Sequence, residues 1–161
     1  MIEHPFPPLY DGNSKILILG SFPSVKSREK MFFYGHKQNR FWRVISAVLT
    51  AELPTTIDEK RKILLDGGVA LWDVIASCDI VGSADSSIKN VRANDLSPIF
   101  AAAQIRQIFV NGRTAEKYYN KFTYPKIKRH AVCLPSTSPA NAAWKIDALI
   151  ETWRAELAPY L

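Results

Sequence analysis

Four short apolar runs alternate along the chain with stretches of helical periodicity, and this alternation narrows the possible folds more than any other feature. "KILILGSF" opens with Ile16 to Leu19, an unbroken apolar run stopped by Gly20. "GVALWDVIA", "IRQIFVNG" and "HAVCLPS" repeat the pattern. Strands buried on both faces of a parallel sheet read this way, without polar alternation. Between the runs, Phe41, Val44, Ile45, Val48 and Leu49 recur at helical spacing, as do Ile57, Arg61, Leu64 and Leu65. "DLSPIFAAAQ" predicts a helix starting near Ser97, because Pro98 suits only a first turn. "RTAEKYYNKF" is a fourth helical pattern, and the last runs from about Pro139 to Leu157. Such alternation implies βαβ crossovers and an α/β fold, a three-layer αβα sandwich around a central four-stranded parallel sheet. No repeat or composition shift divides the chain, so residues 1–161 are expected to form a single domain, with residues 1–13 as a Pro-rich N-terminal arm.

With 161 residues, 47% of them apolar, the chain is long enough to bury a core, which argues against disorder. Its apolar runs are too short to span a bilayer, and "MIEHPFPPLYDG" lacks the pattern of a signal peptide. An intracellular, cytoplasmic protein with no membrane partner is expected. Cys78 and Cys133 are far apart in sequence and flanked by apolar residues, which reads as buried structural thiols. His4, His36 and His130 are scattered without metal-ligand spacing, so no metal and no cofactor are predicted. A net charge of +6 favours a polyanionic partner.

In a parallel α/β sheet, ligands bind beyond the carboxyl ends of the strands, so the four strand ends are expected to converge on one site. "GSFPS", Gly20, Ser21, Phe22, Pro23 and Ser24, reads either as a turn bringing backbone near a ligand or as an ordinary strand-to-loop turn. In "LPSTSPAN", Ser138 before Pro139 reads as an N-cap, with or without a phosphate bound at the helix start. Asn111 reads as a left-handed turn residue, Thr114 as an N-cap and Arg113 as a phosphate contact. Asp73 sits inside an apolar run, where a carboxylate is costly unless it is paired or serves a site; a strand-end cap and a functional role are both open. "YGHKQNRFW", Tyr34 to Trp42, carries too many polar groups for core and too many rings for a free loop. Phe32, Phe33 and Tyr34 are candidates for stacking on a flat ring, and Asn39 can cap the following helix or read the edge of a base.

Together, "GSFPS", "GHKQNRFW" and "STSPAN", in this order from about Ser14 to Trp153, resemble the uracil-DNA glycosylase superfamily, and more closely its hypoxanthine-DNA (deoxyinosine) glycosylase branch. The resemblance implies an enzyme that flips a deaminated base from DNA into a pocket and hydrolyses its N-glycosidic bond. It implies a base pocket at Gly20, Ser21, Phe22, Pro23 and Ser24 with Tyr34, Gly35, His36 and Asp73. It places a DNA-gripping loop at Ser136, Thr137, Ser138, Pro139 and Asn141. Phe22 stands where many relatives carry a catalytic Asp or Asn, and Leu134 where many carry His. In the hypoxanthine branch the Asn of the quoted segment takes over, which assigns catalysis to Asn39.

Phosphate contacts are expected from Lys26, Ser27, Arg40, Lys89, Arg92 and Arg113. None of the pocket candidates is lysine, so no Schiff-base lyase step is predicted. The expected partner is double-stranded DNA containing a deaminated base, or single-stranded DNA, bound by a monomer. The competing readings are a uracil or thymine mismatch glycosylase, a damaged-DNA-binding module without catalysis, and a small-molecule α/β enzyme.

Overall fold

A computed structural model describes residues 1–161. Four strands, β2 (Ile16–Gly20), β3 (Val69–Asp73), β6 (Gln107–Asn111) and β7 (Ala131–Leu134), form the parallel sheet in the order β3-β2-β6-β7. Ile16 to Leu19 are fully buried, as continuous apolar runs in a doubly covered sheet require. The first of these strands is central: the chain crosses to β3 on one side, then returns to β6 on the other. That reversal creates the switch point at which such folds hold ligands.

The covering helices are α1 (Val25–Lys30), α2 (Phe41–Val48), α3 (Ile57–Asp66), α4 (Ser97–Ala102), α5 (Arg113–Tyr118), α6 (Tyr124–Ile127) and α7 (Ile146–Leu157). α2 and α7 pack together through Phe41 and Trp153, whose rings lie 5.9 Å apart. Thr56 caps α3 by accepting the Glu59 N–H. The expected helix at "RTAEKYYNKF" is interrupted by a π-helical turn over Tyr119–Thr123. No helix is long and apolar enough to cross a membrane.

Several expectations are corrected. "GVALWDVIA" is not one strand: the run breaks at Val74 and continues as β4 (Ile75–Asp79) in a second, antiparallel sheet. There β4 pairs with β1 (Ile2–Glu3) on one side and with β5 (Lys89–Ala93) on the other. The first residues are therefore woven into the structure, with Phe6 and Leu9 buried in the core. α1, unpredicted, starts right after the first strand's turn, capped by Ser24, which accepts the Ser27 N–H. The last helix begins at Ile146, not Pro139, so Ser138 caps no helix. The Arg40 guanidinium donates to the carbonyls of Ser138, Asn141 and Trp144, three of the groups a longer helix would use internally. Thr114 lies inside the first turn of α5, because Gly112 provides the cap. Gly112, not Asn111, takes the positive φ at this turn, +96° with an extended ψ. Cys78 is buried, whereas Cys133 is only half-buried.

Candidate active site

The carboxyl ends of the four parallel strands open into one cavity of about 300 Å³, near the lower end of the range for small-ligand sites. Gly20 to Ser24 form one wall, held in place because Val74 N–H donates to Gly20 O and Ile75 N–H to Ser21 O. Asp73 ends β3, Asn111 ends β6, and Ser136 to Pro139 follow β7. Tyr34, His36 and Asn39 close the cavity from the turn before α2. Ile80, Ser83 and Asp85 reach it from the hairpin between β4 and β5. No lysine lines it, and no group of three or more His, Cys, Asp or Glu side chains is placed to hold a metal.

A chain of hydrogen bonds crosses the cavity floor. Asn39 Oδ1 accepts the Phe41 N–H at 2.9 Å and the Thr137 hydroxyl at 2.8 Å. Thr137 Oγ1 in turn accepts from Asn111 Nδ2 at 3.0 Å, and its own N–H donates to Asn111 Oδ1 at 3.1 Å. Asn111 Nδ2 also reaches the Tyr34 hydroxyl at 3.3 Å. The Phe41 N–H is a donor only, so it fixes which end of the Asn39 amide is oxygen. Both lone pairs of that oxygen are engaged, and Nδ2 has no protein acceptor. Asn39 thus offers the cavity a donor.

Opposite in character is Asp73, nearly buried, whose Oδ2 contacts His4 Nε2 at 2.6 Å. Its Oδ1 lies over Gly20, where an added Cβ would come within 2.4 Å of it and 3.3 Å of the Tyr34 hydroxyl. Only glycine leaves that space. Burial, reinforced by the Asp73 carboxylate, pushes the Tyr34 phenol well above its ordinary value, so it stays protonated. Tyr34 has a left-handed backbone, φ 51°, and one face of its ring stacks on Phe41 at 4.0 Å. Phe32 is core, stacked on Trp42, so it cannot stack on a ligand. Phe33 is buried beside the cavity, and Phe22 is the half-buried ring in its wall.

The remaining candidates are placed unevenly. Gly35 is outside the cavity, packed on α1, with its N–H donating to Ser27 Oγ. Ser27 is a buried residue of the cavity lining, and its hydroxyl oxygen also accepts from Ser24. Lys26 is exposed and paired with Glu29; Lys89 and Arg92 are exposed on β5, away from the cavity walls. Arg113 is exposed in a neighbouring groove that also contains Asn141 and Trp144. Arg40 faces inward to the loop carbonyls, including that of Thr137, instead of outward to solvent anions. Thr137 is fully buried as the bridge between Asn39 and Asn111, and Asn141 Nδ2 braces the loop through Ser136 O. Sequence reasoning overlooked His4 and treated Asn111 as a turn. A polar residue closing a buried parallel strand, the signal used for Asp73, would have flagged Asn111; nothing local flags His4.

The profile of the uracil DNA glycosylase superfamily matches residues 7–158. A protein of Methanosarcina acetivorans named hypoxanthine DNA glycosylase is 38% identical over 146 residues, covering 88% of this chain and 89% of that one. A protein of the same name from Methanosarcina barkeri is 32% identical over 120 residues, covering 73% and 76%. A solution NMR structure from Methanosarcina acetivorans, described as a candidate uracil DNA glycosylase, superposes with a TM-score of 0.79 at 32% identity, over 96% of this chain and 98% of that one. On both its cavity and these likenesses, this chain belongs to the uracil DNA glycosylase superfamily.

Proposed function

We propose that this protein is a monofunctional DNA glycosylase that binds a flipped hypoxanthine and hydrolyses its N-glycosidic bond during base-excision repair. The observation that carries this reading is the pairing of a fixed donor, Asn39 Nδ2, with an open carboxylate oxygen, Asp73 Oδ1, in one cavity. Hypoxanthine offers the complement: a ring N–H for the carboxylate and several ring or carbonyl acceptors for the amide. Adenine has a lone pair where hypoxanthine has that N–H, so a carboxylate repels it.

In the reaction the bond between C1′ and the base nitrogen breaks, and its electron pair leaves with the base. The sugar gains cationic character, water adds to C1′, and the water's proton ends on the departing base. A preorganised donor aimed at the base stabilises that developing negative charge. Asn39 is suited to this role and not to accepting a proton from water, because its oxygen is already doubly occupied. The absence of lysine from the cavity walls leaves no amine for a Schiff base, which supports simple hydrolysis. Phe22 supplies a ring at the cavity wall for the extruded base, whose unstacking costs a few kcal/mol. The protein works as a cytoplasmic monomer on double-stranded DNA, and the +6 charge assists encounter.

Uracil is the second substrate to consider, since it too has a ring N–H beside a carbonyl. The test is single-turnover release from duplexes bearing one deoxyinosine or one deoxyuridine, read by alkaline strand cleavage. Cleavage at inosine that disappears in N39A is expected. Cleavage at uracil alone would replace the substrate, and intact DNA binding with no cleavage would make the protein a binding module.

A further inference from the structure

Asp73 is in the cavity wall, but the residue that grips it is not. His4 comes from the N-terminal segment, and its side chain and that of Asp73 are only 3% and 7% exposed. The imidazole is packed among Phe6, Phe22, Phe33 and Trp72, with ring centroids 4.4 to 6.4 Å away. Its Nδ1 is buried without a partner, so the 2.6 Å contact with Asp73 Oδ2 is the ring's one hydrogen bond. Oδ2 is therefore turned to an imidazole outside the cavity lining, and Oδ1 is the oxygen beside Gly20.

A carboxylate with both oxygens open accepts two parallel N–H groups at once, as it does from arginine. Guanine presents such a pair on one edge, its ring N1–H and its exocyclic amine. Hypoxanthine is guanine without the amine. We propose that His4 is a positioning residue that sets specificity: by holding Asp73 Oδ2 turned to its own ring it presents the cavity with a one-oxygen acceptor, which matches hypoxanthine and rejects guanine. Guanine in the cavity would either bury an amine with no acceptor or pull Asp73 from His4, and each costs affinity. The proposal rests on the cavity being the base pocket, and it addresses the discrimination such an enzyme most needs, because guanine occurs throughout undamaged DNA.

The experiment compares binding to duplexes carrying 2′-fluoro-deoxyinosine or 2′-fluoro-deoxyguanosine opposite thymine, where the fluorine prevents cleavage. The native chain should prefer the inosine duplex by about tenfold or more. H4F and H4L release Oδ2 while still filling the space among the surrounding rings, and in either the preference should shrink by about tenfold. H4Q, whose amide can donate to the same oxygen, should retain most of it. Loss of a purely structural contact would weaken both duplexes alike. A native preference near one, or an unchanged preference in a folded H4F or H4L protein, overturns the proposal. Failure of the underlying activity is read separately, as no base release from the unfluorinated inosine duplex.

Discussion

Exchanging Asn39 for aspartate separates two roles that alanine would confound. The Asn39 oxygen accepts the Phe41 N–H at the start of α2 and the Thr137 hydroxyl, and its Nδ2 is the free donor. Removing the oxygen in N39A loses the acceptor for the first N–H of α2 and the hydrogen bond from Thr137, each worth about 1 kcal/mol. A loss of about 2 kcal/mol lowers Tm by about 4–8 °C in a chain of this length. N39D keeps both bonds, and the helix dipole favours a carboxylate there, so its Tm should match or exceed that of the native chain. Catalysis should behave in the opposite way. Loss of one donor at a developing negative charge costs about 10²–10³ in rate, and N39D should lose at least as much as N39A because it adds like charge. Thermal melts and single-turnover inosine release on the same preparations decide the matter. An N39D protein that keeps near-native rates would refute the reasoning, since it would place the residue's action in its oxygen and on water.

Three further outcomes are expected. G20A pushes a methyl to within 2.4 Å of Asp73 Oδ1; since His4 holds that carboxylate, binding of the fluorinated inosine duplex should fall while circular dichroism stays native, and unchanged affinity would mean Oδ1 does not meet the base. R40K cannot reproduce a fork to several carbonyls, so amide exchange over residues 138–144 should quicken by about tenfold or more with β6 unaffected. Tyr119 is fully buried, and burial pushes its phenol up to about 12 from 10.0. The folded state therefore favours the protonated phenol: this contribution is intact below pH 10.0 and is lost as pH rises through about 12. Melting across that window should fall less steeply in Y119F than in the native chain.

The parallel sheet was legible because burial on both faces leaves a one-dimensional trace, the continuous runs at Ile16–Leu19, Val69–Trp72 and Ile108–Val110. The antiparallel sheet left none: β5 is the largely polar "KNVRA" and β1 only two residues. The helix expected at Pro139 failed because Arg40, 97 to 104 residues earlier, holds the loop carbonyls, an interaction invisible to local periodicity. The same distance hid His4, which meets Asp73 across 69 residues. The strand-end rule located the cavity, and motif resemblance singled out Asn39; neither could say which end of its amide faces inward. That orientation comes from the Phe41 N–H and the Thr137 hydroxyl.

The brace around the Asn39 oxygen bears on how this position evolves. Catalytic residues are often poor choices for stability, and replacing them commonly makes a protein sturdier at the expense of turnover. For the role proposed for Asn39 the trade-off is reversed in every substitution that removes the oxygen, because the same amide ties α2 to the loop after β7. Selection for folding alone would keep an oxygen-bearing side chain at position 39. A lineage that lost the activity is therefore expected to drift first to aspartate, and asparagine against aspartate at this one position distinguishes a working pocket from a retained scaffold.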